Sequence, residues 1–162
     1  MAELTKLKKF KTIPFIKEND ESATWLRIGK STIFALALNA NVVTNNYIED
    51  EAPTDEITHY KPTLPQELAA YKGDPAFDFI YDMFYNLPTG AAVQKPVLIV
   101  FDGNIGTDAS PKFNAWQVKA TVVLKDFNTV DGKITFDLNL NGNIEKGTCT
   151  IAEGIPSFTV GA

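Results

Sequence analysis

Two runs of strict alternation leave this chain few folds to choose from. Over residues 116–124, Trp116, Val118, Ala120, Val122 and Leu124 fall on one side, with Gln117, Lys119, Thr121 and Val123 on the other. Over 133–141, Ile134, Phe136, Leu138 and Leu140 alternate with Thr135, Asp137, Asn139 and Asn141. Successive side chains of an extended chain point to opposite faces, so each run predicts a strand with one buried face. Val130-Asp131-Gly132-Lys133 lies between them, and Asp-Gly is a tight-turn pair because both positions tolerate positive φ. The two runs form a hairpin.

Other strands follow from weaker versions of the same signal. Phe34, Leu36, Leu38, Ala40 and Val42 alternate with Ala35, Ala37, Asn39 and Asn41, predicting a long strand over 33–43. Residues 24–28 are expected to pair with its start across Gly29-Lys30-Ser31. Residues 97–101 are apolar throughout, which suits a strand buried on both faces. Cys149 and Ile151 alternate with Thr148 and Thr150, and Phe158 and Val160 mark a last short strand. The expected fold is mainly β, a sandwich or barrel of about 7–8 strands in one domain spanning 1–162.

A single helix of about 75–86 interrupts the strands. Asp74 suits its N-cap and Pro75 its first position, while Pro88 and Gly90 end it. Phe77, Ile80, Tyr81 and Phe84 follow helical spacing, opposite a polar stripe of Asp78, Asp82 and Asn86.

Residues 47–74 fit neither pattern. Pro53, Pro62 and Pro65 interrupt any long ladder or helix there, yet Tyr47, Ile48, Ile57, Tyr60, Leu64, Leu68 and Tyr71 need somewhere to pack. The expectation is a long ordered loop at about 46–65, and such loops in compact domains are usually functional. Charge is also unevenly placed. Residues 1–17 form a basic arm, with Lys6, Lys8, Lys9, Lys11 and Lys17 against Glu3, although the whole chain carries −5. Residues 49–56 hold five acids: Glu49, Asp50, Glu51, Asp55 and Glu56. A basic arm and an acidic loop invite head-to-tail pairing between copies; the plainer reading is two solvated segments.

Catalytic constellations are missing from the sequence. The only histidine, His59, sits in the proline-rich loop, and the only cysteine, Cys149, sits among strand threonines like an inert packed thiol. One His and one Cys exclude a zinc site, and residues 102–108 lack the spacing of a calcium loop. The carboxylate pairs Glu49/Glu51, Asp55/Glu56 and Asp78/Asp82 lack a sugar cleft, because Trp25 and Trp116 read as strand core. No phosphate-cradling glycine loop occurs. The reading is no enzyme, no catalytic or metal residues, no cofactor and no membrane span.

One resemblance covers most of the chain. It is carried by Lys11-Thr12-Ile13-Pro14-Phe15, by Trp25-Leu26-Arg27-Ile28-Gly29-Lys30-Ser31-Thr32 and by the 47–74 block. It continues through Asp74-Pro75-Ala76-Phe77-Asp78-Phe79-Ile80-Tyr81-Asp82 and the strands after Trp116, closing with Lys146-Gly147-Thr148 up to Phe158. Taken as a whole, this pattern resembles the tail tube (major tail) proteins of long-tailed bacteriophages, in the versions found in phages of Gram-positive hosts. The resemblance implies a β-sandwich with one helix, assembled as six-membered rings that stack into a hollow tube conducting DNA without binding it. Its partners would be copies of itself, with tape-measure, tail-terminator and distal tail proteins. Its place would be the virion, after assembly in the host cytoplasm.

On that reading the stacking contacts are Lys8, Lys9 and Lys11 of the arm against Glu49, Asp50, Glu51, Asp55 and Glu56, with Tyr47, Ile57 and Tyr60 as apolar anchors. The lumen is lined by Asn39, Asn41, Lys119, Thr121, Asp137 and Asn139, with Asp137 repelling phosphate and Lys119 neutralised locally. Two other readings stay open: a monomeric β-sandwich module binding carbohydrate or an adhesion partner, and a tail-completion protein sharing the fold.

Overall fold

The computed structural model describes residues 4, 6, 12–18, 22–31 and 35–161. Its centre is the expected hairpin, much longer than the alternating runs alone. Strand β7 spans Phe113–Asn128 and β8 spans Lys133–Ala152. Gly132 takes the left-handed φ of +66° in the turn between them, a conformation that glycine adopts without steric cost.

Around this pair a seven-stranded antiparallel sheet forms in the order β2-β1-β6-β7-β8-β5, with β9 also on β8. Here β1 is Ile13–Ile16, β2 Leu26–Arg27, β5 Thr63–Ala69, β6 Gln94–Asn104 and β9 Ile155–Val160. The sheet curls into a half-barrel, so the expected sandwich or barrel with one helix is the fold observed. Strand β8 serves two neighbours on one edge. Its first half pairs with β5 and its second half with β9.

Two bulges set which side chains reach the core. Leu124 faces Phe136 and Asp126 faces Thr135, so β7 fits two residues against one of β8. The bulge reverses the phase of β7 and brings Phe127 to the core side, where strict alternation would have pointed it away. Further along, Gln117 faces Glu145 and Lys119 faces Asn141, which leaves extra residues on β8 and puts Gly142 at a φ of +66°.

Strand β6 is buried on both faces, as its apolar run predicts. Val97 and Ile99 join the main core, while Leu98 and Val100 join a second cluster with Phe15, Ala115 and Cys149. Helix α1, Pro75–Asn86, covers the main core with Ala76, Phe77, Ile80 and Met83 buried. Phe77, Tyr81 and Phe84 each lie within 6.2 Å of the Phe127 ring, centroid to centroid. Asp74 holds the N-cap position and Pro75 the first turn, although Asp74 makes no capping hydrogen bond from its side chain. The helix stops at Leu87, which is left-handed at φ 49°, one residue before Pro88.

Three sequence expectations need correction. No single strand runs over 33–43: Ala37 bridges Thr63, Asn39 turns left-handed at φ 48°, and a separate strand β3 begins at Asn41. Asn39 tolerates this φ because its side-chain amide donates to the Lys61 carbonyl and the Thr63 hydroxyl, both at 3.1 Å. Leu38 and Val42 are consequently exposed rather than core, and Phe34 lies outside the described residues. Second, β2 pairs with β1, Phe15 opposite Arg27, and with none of the described residues 35–43. Third, the loop of 46–65 contains a strand, β4 (Thr54–His59), which pairs with β3 (Asn41–Asn45) in a two-stranded sheet, and β5 starts within it at Thr63. The prolines fit this arrangement. Pro53 and Pro62 precede strands, and Pro65 lies on β5, whose outer side, among the described residues, is met by isolated bridges alone.

The close approach of β9 to β8 needs a glycine. A Cβ on Gly147 would lie 2.1 Å from the Thr159 carbonyl oxygen and 2.9 Å from the Phe158 ring. Gly147→Ala is therefore expected to destabilise the chain by about 1–3 kcal/mol, lowering its urea midpoint. An unchanged midpoint would mean that β9 is free to shift.

Candidate functional site

The β3–β4 hairpin stands largely clear of the other described residues. Every residue of β4 is exposed, and so is every residue of β3 except Asn45. Alternation across the register sorts its side chains onto two faces. Val42 sits opposite Ile57 and Thr44 opposite Asp55 on one face; Val43 opposite Glu56 and Asn45 opposite Thr54 on the other. The ribbon is tied mainly by its own polar pairs. The Thr44 hydroxyl donates to Asp55 at 2.7 Å, the Asn45 amide to Glu56 at 3.2 Å and the Asn41 amide to the Thr58 hydroxyl at 2.7 Å.

Six large apolar side chains on or beside this ribbon face solvent: Val42, Val43, Tyr47, Ile48, Ile57 and Tyr60. Exposing that many together is costly, and a two-stranded hairpin is marginal in water without a third partner. Eight of the eleven expected contact residues lie on this one element. Tyr47, Glu49, Asp50 and Glu51 form its tip, Asp55, Glu56 and Ile57 lie on β4, and Tyr60 follows it. Lys8, Lys9 and Lys11 lie outside the described residues. Val42 and Val43 escaped the sequence reading, which had placed Val42 in the core. The β-branched run Val42-Val43-Thr44, facing Thr54 to Thr58 across an acidic tip, is the signal that marks the ribbon.

A second surface lies on the sheet face opposite α1. Lys119 and Thr121 of β7 stand opposite Asn141 and Asn139 of β8, and Asp137 follows on the same face. Four of the six expected lumen residues thus share one patch. Asn39 reaches its margin through Thr63, which pairs with Asn139, whereas Asn41 belongs to the hairpin. The patch is largely satisfied within itself. Asn141 donates to the Thr121 hydroxyl, Lys125 pairs with Asp137 at 2.9 Å and Lys133 with Glu67 at 2.5 Å. Asp137 is thus not a bare carboxylate, and the local ion pair falls on Lys125 rather than on Lys119.

Hydrogen bonding to Glu67, then its charge, holds the Lys133 ammonium above the usual lysine range. The sign is that of a raised base: any stabilisation is complete below the ordinary lysine range and is lost as pH rises through the raised value.

The reactive residues do not form a site. His59 lies on the exposed ribbon beside the Thr58 hydroxyl at 3.2 Å, whereas Cys149 is buried in the second cluster. Burial pushes the Cys149 thiol up, which disfavours the nucleophilic thiolate. Trp116 stacks edge-on against Phe101 at 5.1 Å, and Trp25 lies under the Lys17 ammonium at 4.7 Å, so neither forms a sugar platform. In the 102–108 segment the Asn104 side-chain oxygen accepts from the Gly106 and Lys112 amides, at 2.8 and 3.0 Å. No group of three metal-ligating side chains forms among the described residues.

No family model and no curated protein matches the chain. Among solved structures it is similar to a chain in the sheath/tube terminator of an extracellular contractile injection system, PVC, in the extended state. That likeness has a TM-score of 0.51 and 13% identity over 90% of this chain and 99% of the other. It is also similar to a chain of the anti-feeding prophage baseplate, with a TM-score of 0.48 and 10% identity over 89% and 97%. At these identities the likeness is one of fold.

The unsupported ribbon has a direct signature. Amides of β3 and β4 are expected to exchange with solvent at least about a hundredfold faster than those of β6, β7 and β8 in the unassembled chain. Comparable protection would mean that the hairpin is held by contacts within its own chain.

Proposed function

We propose that this chain is a structural building block of a phage-like tail or contractile injection particle, and that copies of it assemble through the β3–β4 hairpin. The observation that carries the reading is the ribbon itself, with its exposed valines, isoleucines and tyrosines. Such a surface gains stability only when a neighbour covers it, at about 25 cal/mol per Å² of apolar area buried. The fold likeness to a tube-terminator chain supports the same reading, as does the scarcity of catalytic geometry.

The finer form of the proposal is a tail tube: rings of six, stacked into a conduit for DNA. Edge strands are a liability in a free sheet, and ring closure by edge pairing removes them. The patch around Thr121, Asp137 and Asn139 is proposed as the lumen wall, in a chain of net charge −5. Two of its three lysines, Lys125 and Lys133, are neutralised by Asp137 and Glu67, which leaves Lys119 to hold phosphate by counterion release. Tape-measure, terminator and distal tail proteins are the further partners of that proposal, and the finished virion its location.

A second reading has an observation of its own. The similar solved chain belongs to a sheath/tube terminator, and a protein in that role closes a tube instead of extending it. The two differ in one outcome, because a terminator forms rings that do not stack.

The purified chain is expected to form rings or tubes with a central channel in electron micrographs. Replacing both Val42 and Ile57 by Ser is expected to raise the concentration needed for assembly about tenfold or more, since it removes a facing apolar pair. The circular dichroism spectrum should not change, because both side chains are exposed. A chain that stays monomeric at every concentration and salt condition would instead favour a binding module.

A further inference from the structure

An open groove of about 660 Å³ runs between α1 and the β1–β2 edge. Leu26, Phe79 and Met83 supply its apolar surface, and Glu18, Asp78 and Asp82 line it with acid. Among its described lining residues the one cation, Lys95, is engaged by Glu18 at 2.6 Å and rests 5.7 Å from the Phe79 ring centroid. The exposed carboxylates of Asp78 and Asp82 on the helix's polar stripe therefore leave these lining residues with a net charge of −2.

The chain contains a segment with the complementary chemistry. In residues 1–11, Leu4, Leu7 and Phe10 recur every third position among Lys6, Lys8, Lys9 and Lys11. Leu4 is 98% exposed in the single chain, so this apolar side chain is not spent on its own fold.

We infer that the groove beside α1 receives the basic arm of a second copy, each chain giving an arm to one neighbour and taking one from another. This rests on the assembly reading above. The arm leaves at Thr12, whose hydroxyl accepts the Asp102 amide at 3.4 Å. Lys95 at the groove lies seven residues back along β6, roughly 23 Å away at strand spacing. The root of the arm at Thr12 and the groove thus lie at opposite ends of the β1–β6 pair, as a heterologous, head-to-tail contact between copies requires. Eleven residues span at most about 38 Å, enough to bridge neighbouring copies in contact. The groove offers what the hairpin acids do not, apolar side chains beside its carboxylates: Leu26, Phe79 and Met83 could cover Leu7 or Phe10. Among the described residues the Asp82 carboxylate accepts no side-chain hydrogen bond, whereas Asp55 and Glu56 accept from Thr44 and Asn45.

The test uses two full-length variants, Thr5→Cys and Asn86→Cys, mixed and treated with a short bis-maleimide; Asn86 lines the groove and is exposed. The expected product joins residue 5 of one copy to residue 86 of another, identified by mass spectrometry of the linked peptides. Asp82→Lys in the second variant should cut its yield about threefold or more, as should about 1 M salt. Reversing Glu153, an exposed acid in the turn between β8 and β9 and outside both groove and hairpin, to Lys should leave it unchanged. Absence of the product overturns the inference. So does a link that forms only within one chain in the doubly substituted protein at high dilution, or a yield that Asp82→Lys leaves unchanged. Micrographs of the parent chain judge the function separately. Tubes without the link refute the arm–groove contact alone, and the link without rings or tubes refutes the assembly reading while the contact stands.

Discussion

The pairing of β7 with β8 is the interaction on which the rest of the molecule depends. One face of that pair carries Val118, Ala120, Val122, Phe136 and Leu138 into the main core, and its far end carries Ala115 and Cys149 into the second cluster. Both cores would be lost together if the register slipped by one residue, because every side chain would change face. The bulge at Lys125 shows how tightly that register is held. It lets Phe127 re-enter the core, and there Phe127 becomes the surface on which the aromatic face of α1 packs. Helix placement is therefore a consequence of one extra residue in a strand.

The same economy explains why the hairpin and the sheet end up so differently. Side chains from β5 to β8 are shared between a helix and a sheet, so apolar residues there find cover within the chain. Among the described residues nothing comparable lies over β3 and β4. Their strand pairing there is with each other, and their valines and Ile57 face water. A fold this well buried elsewhere has no internal reason to keep such a ribbon apolar. Its chemistry makes sense as an unfinished interface, in which ordering and burial are completed by a neighbour.

Much of this was legible in the sequence, and the failures have physical causes. Alternation located β7 and β8, an unbroken apolar run located β6, and proline with helical spacing located α1 at its observed bounds. Prolines hid β5, since Pro62 and Pro65 read as breaks, although Leu64 and Leu68 already alternate as a strand does. The 33–43 segment misled in the opposite direction. Its alternation is real, but its small residues bury little area, and a single left-handed Asn39 anchored to Thr63 turns the chain toward the hairpin. Of the candidate sites, the acidic and aromatic contact residues fell on one ribbon because they lie close in sequence. The pairing of Asp137 with Lys125 was invisible, since it arises from a bulge that alternation cannot show.

Charge completes the account of how such a chain could polymerise without sticking to what passes through it. On the proposed lumen face, Lys125 and Lys133 are matched by Asp137 and Glu67, and Lys119 forms no ion pair among the described residues, so that face presents hydroxyls, amides, neutralised pairs and one cation. Further charge lies elsewhere: acid on the hairpin tip and along α1, base in the arm. Individual exposed pairs contribute only about 0–1 kcal/mol and weaken with salt, so charge alone cannot hold subunits together. Its effect is on which surfaces meet, since like-charged grooves and tips repel and only arm against acid attracts. Apolar burial then supplies the affinity, from the ribbon's valines and Ile57 and from the apolar positions of the arm. An assembly built this way takes its direction from charge and its strength from burial, and the two depend on different residues.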